Sequence, residues 1–251
     1  MIFLSIFKTR AVVLKTQDMK EADKLVWLYT EKLGKVSAIA KGAKRSRSKY
    51  LSSTLPFCYG EYVLYKGKSL YIINDSEVIN SFQNLLENLD DITYASYLCE
   101  LIDISMVDDE VNSEFFKNVI SSFYLLSNKA IDPETLARAF EVKLLDATGY
   151  SFSLKQCCLC KKSIDSSNYM SYRYSGGVCN DCIKTNGMSI SYATYNALKF
   201  LCVASIDKVV RVVLSKQVKE ELAKILSIFI TNNYGRKPKS LEIFNYLKRS
   251  D

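Results

Sequence analysis

The sequence predicts an α+β protein: a small β-barrel at the N-terminal end, then a helical-bundle domain interrupted by a cysteine-bearing insertion. Three observations predict it. Short runs rich in Val, Ile, Leu, Tyr and Trp fill the first third of the 251 residues. A 3.6-residue apolar period takes over from Leu85. Four cysteines at paired spacing then fall between two blocks of that period.

The barrel strands are expected at residues 10–15, 24–30, 35–41, 59–66 and 69–73. Alternation is clearest in the third, with Val36, Ala38 and Ala40 on one face and Lys35, Ser37 and Lys41 on the other. Gly67-Lys68 between the last two runs suits a two-residue type II′ turn. Five short strands with one long loop after the third predict a closed barrel of the OB-fold type.

Tyr94, Leu98, Leu101 and Ile102 make the first helical stripe. Phe115, Phe116, Val119, Ile120, Phe123 and Tyr124 make the second. Asp132 before Pro133 signals an N-cap with a first-turn proline, and Leu136, Phe140 and Leu144 carry that helix toward Gly149 as a C-terminal cap. The pattern resumes with Leu198, Leu201 and Cys202, then Val218, Leu222, Ile225, Leu226 and Phe229. A last short helix is expected at residues 241–247. The resulting division is 1–80 barrel, 81–155 first helical part, 156–187 cysteine insertion and 188–251 second helical part.

The four cysteines read Cys157-x2-Cys160-x18-Cys179-x2-Cys182, a zinc-ribbon spacing. Each pair brings two thiolates together in a tight turn, and two such turns complete a tetrahedron around one structural Zn²⁺. Four thiolates leave no open position for catalysis. Cys157 is preferred over Cys158, because pairing Cys158 with Cys160 leaves one intervening residue and strains the turn. Gly176-Gly177 is expected as a turn before the second pair, and Lys155, Lys161, Lys162 and Lys184 offset the thiolate charge. Cys58, Cys99 and Cys202 sit in apolar runs as small buried hydrophobes.

Charge separates the modules. The chain has 34 Lys and Arg against 27 Asp and Glu. Residues 1–68 hold fourteen of those bases and five of the acids, a net of +9, so the remainder is −2. Lys35, Lys41, Lys44, Arg45, Arg47 and Lys49 lie within fifteen residues that contain no acid. Trp27, Tyr29, Tyr50, Tyr59 and Tyr62 lie in or beside the neighbouring strands, either as bases' stacking partners or as barrel core. Such a loop fits the backbone of a nucleic acid.

There is no histidine, which excludes imidazole triads and histidine metal sites. Lys66-Gly67-Lys68-Ser69 lacks the upstream glycine of a P-loop, which is Tyr62 here. Asp103, Asp108, Asp109 and Glu110 offer a Mg²⁺ nuclease as a less favoured alternative, and a protein-interaction scaffold is another. Met1 to Phe7 is apolar but lacks the charged start and length of a signal peptide or a spanning helix, giving an expectation of a cytoplasmic protein with no membrane partner.

Taken in order, several blocks resemble the RecO family of bacterial recombination mediators. They are residues 9–16, Glu21-Ala22-Asp23-Lys24, residues 34–43, residues 56–61, residues 176–182 and residues 235–241. The block at 34–43 is the most specific. The resemblance implies an OB-fold, a helical domain and an inserted four-cysteine zinc element. It also implies binding of single- and double-stranded DNA, strand annealing, and partnership with RecR and the C-terminal tail of single-stranded-DNA-binding protein (SSB), helping to load RecA near the nucleoid. Arg10, Lys35, Lys41, Lys44, Arg45 and Arg47 match the family's basic barrel surface. The chain departs from the family pattern at Cys158 and in the apolar residues ahead of Thr9.

Overall fold

The computed structural model describes residues 6–236 and 238–240, so the helix expected at 241–247 lies outside the described residues. Five strands, β1 (Ile6–Met19), β2 (Asp23–Thr30), β3 (Gly34–Ala40), β4 (Tyr59–Lys66) and β5 (Tyr71–Asn80), close into a barrel in the order β1-β2-β3-β5-β4. β4 pairs back onto β1, and β3 runs parallel to β5. This is the expected OB-type barrel.

β1 and β5 run well past their apolar signals, for a topological reason. The first half of β1 pairs β4, from Ile6↔Tyr65 to Val12↔Tyr59, and the second half pairs β2, from Ala11↔Thr30 to Met19↔Asp23. A bulge between Val13 and Lys15 lets one long strand serve both neighbours. Its far half, Thr16-Gln17-Asp18, is polar because it packs on no core.

The two-residue turn expected at Gly67-Lys68 is not formed. The β4–β5 ladder ends at Lys66↔Tyr71, leaving a four-residue loop closed by the Gly67 N–H donating to the Leu70 carbonyl at 3.0 Å. Gly67 is not in the positive-φ region that a type II′ turn requires.

Val36, Ala38 and Ala40 face the barrel interior with Val13, Leu28, Tyr62 and Leu64, as the alternation predicts. On the outer side, Val12, Leu14, Tyr29 and Tyr59 join the core of the helical body. Tyr29 meets Phe115 edge-on at 6.1 Å between ring centroids. The barrel is therefore filled on both faces of β1 and β2.

The helical body comprises α1 (Leu89–Ser105), α2 (Ser113–Ser127), α3 (Pro133–Ala147), α4 (Tyr192–Val203), the single turn α5 (Ile206–Val209) and α6 (Lys216–Tyr234). Asn88, Asn112, Asp132, Ser191 and Ser215 each accept a backbone N–H at a helix start, satisfying donors that helices leave open. Gly149 lies just past α3 with φ 86°, the left-handed geometry expected of a C-terminal cap. α3 is central, packing on α1, α2, α4 and α6.

Its interior holds an unforeseen ion pair. Arg138 Nη2 lies 2.9 Å from Glu141 Oε1, both fully buried, and the Tyr97 hydroxyl donates to the same carboxylate. Burial pushes the Glu141 carboxyl up while Arg138 acts against that shift.

Barrel and helical body meet at the start of β3. The Asp109 N–H donates to the Lys35 carbonyl at 3.1 Å, and the Gly34 backbone lies against Glu110. A Cβ on Gly34 would lie 2.1 Å from the Glu110 carbonyl oxygen, and φ there is +68°, so only glycine fits.

The insertion forms a three-stranded sheet in the order β7-β6-β8, from β6 (Tyr169–Ser171), β7 (Gly176–Gly177) and β8 (Gly187–Ser189). Gly176 and Gly177 are thus a strand and not the expected turn. They are glycines because of close packing: a Cβ on Gly176 meets the Ser153 carbonyl at 2.7 Å, and one on Gly177 meets the Tyr195 hydroxyl at 2.5 Å. The turn falls just before, at residues 172–175.

Candidate metal centre and nucleic-acid interface

The sulfurs of Cys157, Cys160, Cys179 and Cys182 all lie within 4.8 Å of one another. Cys157 Sγ is 3.9 Å from Cys182 Sγ, and Cys160 Sγ is 3.7 Å from Cys179 Sγ. The Cys179 N–H points at Cys157 Sγ from 3.4 Å. Burial raises the Cys157 thiol, but N–H groups of Cys179, Cys160 and Leu159 outweigh it and bring the thiol down to about 6. Hydrogen bonds to Cys179 and Cys160 hold the Cys182 thiol up at about 12. Four thiols so gathered can hold a metal ion. Cys158 turns away, its Sγ directed at the Gly176 carbonyl at 3.6 Å.

Of the lysines expected to offset thiolate charge, Lys162 pairs with Asp181 at 2.9 Å on the rim, and Lys184 reaches Asn168 at 2.6 Å. Lys161 donates to the Cys158 carbonyl at 3.2 Å. Lys155 is exposed.

The seven cations expected on the barrel surface separate into two groups. Arg10 forks onto Glu31 through two hydrogen bonds of 2.9 and 2.6 Å. Lys44 pairs with Asp18 and Lys49 with Asp75, each at 2.8 Å. Lys35 is 13% exposed and is turned toward the helical body, on the Asp103 carbonyl at 2.7 Å and beside Asp108 at 3.3 Å. Lys41, Arg45 and Arg47 are exposed and have no ion pair among the described residues.

The loop that carries these three is anchored on the β1–β2 turn. The Gly42 N–H donates to Asp23 Oδ1 at 2.8 Å, and the Lys44 N–H to the Ala22 carbonyl at 2.9 Å. Exposed Lys20 belongs to the turn on which the loop is anchored, an addition the sequence did not signal because β2 separates it from the run.

The aromatic residues sort mostly to the core. Tyr29, Tyr50, Tyr59 and Tyr62 are buried, and Trp27 is half-buried with Lys15 Nζ 4.7 Å over its ring. Asp103, Asp108, Asp109 and Glu110 do not converge as metal donors: Asp103 is taken by Lys15 at 2.6 Å and faces Lys35. Among the described residues, only the four cysteines converge as metal donors. No described helix is long and apolar enough to cross a membrane.

A closed five-stranded barrel, a helical body and a four-cysteine insertion together define a barrel-plus-bundle protein with a cluster of thiols that could hold a metal ion. Comparison with known proteins gives the family. The family model "Recombination protein O N terminal" matches residues 2–82, and "Recombination protein O C terminal" matches residues 86–242. The DNA repair protein RecO of Clostridium novyi is 59% identical over 249 residues, 99% of this chain and 97% of its own length. That of Clostridium kluyveri is 58% identical over 245 residues, 98% of this chain and 95% of its own. That of Caldicellulosiruptor saccharolyticus is 31% identical over 245 residues, 98% of this chain and all of its own. The chain belongs to the RecO family of DNA repair proteins.

Proposed function

We propose that this protein binds single- and double-stranded DNA on its barrel and anneals complementary strands without cutting them. With RecR, and through the tail of SSB, it helps load RecA on coated DNA in the bacterial cytoplasm. The observation that carries the DNA-binding part is the trio Lys41, Arg45 and Arg47, exposed and free of ion pairs among the described residues, within seven residues of one anchored loop. Lys20 extends the same patch. Lys44 and Lys49 hold exposed carboxylates that a phosphate can replace, since exposed ion pairs contribute little in water, whereas Arg10 is held more firmly by its fork onto the half-buried Glu31. Lys35 has the weaker claim, because it already serves the joint with the helical body.

The thiol cluster's role in this reading is structural. Tetrahedral zinc with thiolate bonds of about 2.3 Å sets its sulfurs roughly 3.8 Å apart, and the two sulfur separations of 3.7 and 3.9 Å suit that ion. We therefore assign one Zn²⁺ to Cys157, Cys160, Cys179 and Cys182.

The test is the salt dependence of binding to a labelled single strand. Each phosphate contact contributes about −0.7 to the log–log slope. Replacing Lys41, Arg45 and Arg47 together by alanine should flatten the slope by about 2 and slow annealing of complementary oligonucleotides. Unchanged affinity and slope would remove the loop from the DNA site. Annealing on SSB-coated strands, with and without RecR, tests the partner assignments.

A further inference from the structure

A belt of apolar side chains crosses the outside of the barrel and belongs to no core. Side chains alternate along each strand, so residues next to the interior Val26, Ala38, Leu64 and Ile73 point outward. Four of these outward residues are apolar and stand in register. Leu25 on β2 pairs with Ile39 on β3, Ile39 with Ile72 on β5, and Ile72 with Tyr65 on β4. Tyr65 pairs in turn with Ile6 at the start of β1, which is 61% exposed. The other four are half-buried, and none of the five joins the barrel interior or the core of the helical body. With neighbouring strands about 4.8 Å apart, the row from Leu25 to Tyr65 is ~14 Å across.

Exposed cations with no ion pair among the described residues stand on both flanks of the belt. Lys41 comes two residues after Ile39 and opens the anchored loop that carries Arg45 and Arg47. β5 runs parallel to β3, so the β4–β5 loop that precedes Ile72 lies on the opposite flank. Lys66 follows Tyr65 there, and Lys68 sits within that loop. The carboxylates of Glu61 on β4 and Asp75 on β5 are already taken by Lys8 and Lys49. The surface is thus apolar along its middle and cationic at its borders. Single-stranded nucleic acid has the matching chemistry, with phosphates for the cations and unstacked base faces for the belt. A duplex keeps its base faces stacked inside and offers chiefly phosphates and base edges.

We propose that this belt seats the unpaired bases of single-stranded DNA, with Tyr65 as the stacking ring and the backbone crossing from Lys66 and Lys68 to Lys41. The proposal rests on the DNA reading above and adds a division of labour to it. The basic loop serves both forms of DNA, and the belt serves single strands alone.

The experiment uses the full chain with a labelled thymidine oligonucleotide and a labelled duplex. Tyr65→Ala with Ile39→Ser should weaken single-strand binding about tenfold, the loss expected for one base–aromatic stack. It should leave the salt slope and the duplex affinity unmoved, because no charge is removed. Tyr65→Phe should restore single-strand binding. The Lys41, Arg45 and Arg47 triple variant should instead flatten the slope for both forms. In the unaltered chain, a strand carrying iodouracil should crosslink on irradiation to Tyr65, a result that does not depend on any variant folding. Crosslinks confined elsewhere, unchanged single-strand affinity, or equal loss for both forms of DNA would overturn the belt assignment. A belt variant that keeps single strands but loses capture of RecR would give the belt to a protein and overturn it too. A silent loop variant beside a weakened belt variant would remove the loop and keep the belt. A chain that binds neither form of DNA would overturn the DNA reading and the belt's occupant together.

Discussion

The barrel and the cysteine insertion are both small β structures, and they cohere by opposite means. The barrel closes its hydrogen-bonded ladder and surrounds a cluster that runs from Ala11 to Ile73, with Val13, Leu28, Tyr62 and Leu64 at its centre. The insertion has strands of two or three residues, and three of the five buried residues in its cluster are cysteines. Apolar area scales badly in so short a segment, and a bound metal can take its place as the source of folding energy. One region is held from inside by packing; in the other, four sulfurs gather where a metal ion could take that part.

The sharpest way to break that contrast is to remove the proposed Zn²⁺. Chelation, or Cys179→Ser, should cost the insertion on the order of 10 kcal/mol and strip exchange protection from its amides while barrel amides stay protected. Elemental analysis should fall from one zinc per chain to none. An insertion that keeps its protection without metal would show that packing suffices there too.

The reciprocal change is Leu64→Ala in the fully buried barrel interior. It should cost about 3 kcal/mol, lowering the denaturation midpoint while leaving the zinc content unchanged. Loss of metal from this variant would mean that the two regions fold as one unit.

A smaller effect sharpens where the insertion ends. Glu221 on α6 accepts hydrogen bonds from the Ser191 N–H at 2.7 Å and the Ser191 hydroxyl at 2.9 Å, just after β8. Burial raises its carboxyl, but these donors, with Thr194 and Gln217, outweigh that and bring it to about 2. A carboxyl lowered on folding stabilises above its unfolded value, and the contribution is lost as pH falls toward the folded one. Glu221→Gln should therefore cost on the order of 1 kcal/mol at neutral pH, discounted for partial exposure. The gap to the parent protein should close between pH 4.5 and about 2. Parallel acid-unfolding curves would remove this clamp.

What the sequence made legible follows local periodicity. The alternation in β3, the stripe from Phe115 to Phe123, the Asp132-Pro133 helix start and the four-cysteine spacing each depend on neighbours a few residues away. What it hid depends on distant partners. The polar half of β1 is a strand because β2 lies beside it, and Gly176-Gly177 is a strand because β6 pairs with it, its glycines demanded by Ser153 and Tyr195 close by. Arg138 and Glu141 look like a surface pair in an amphipathic helix, and only the packing of four helices around α3 buries them. In the candidate DNA site, a run of six cations gave no sign that Lys35 answers to Asp103, 68 residues away.

The joint at Gly34 has a consequence for how the whole molecule works at a distance. There the barrel meets the helical connector backbone against backbone, with no side chain between them to act as a cushion and a hydrogen bond from Asp109 to Lys35 alongside. Such a seam resists sliding, because any shift drives main-chain atoms together. The chain is built like a caliper with a locked jaw: the barrel and the helical body are kept at one spacing, set by the smallest residue in the protein.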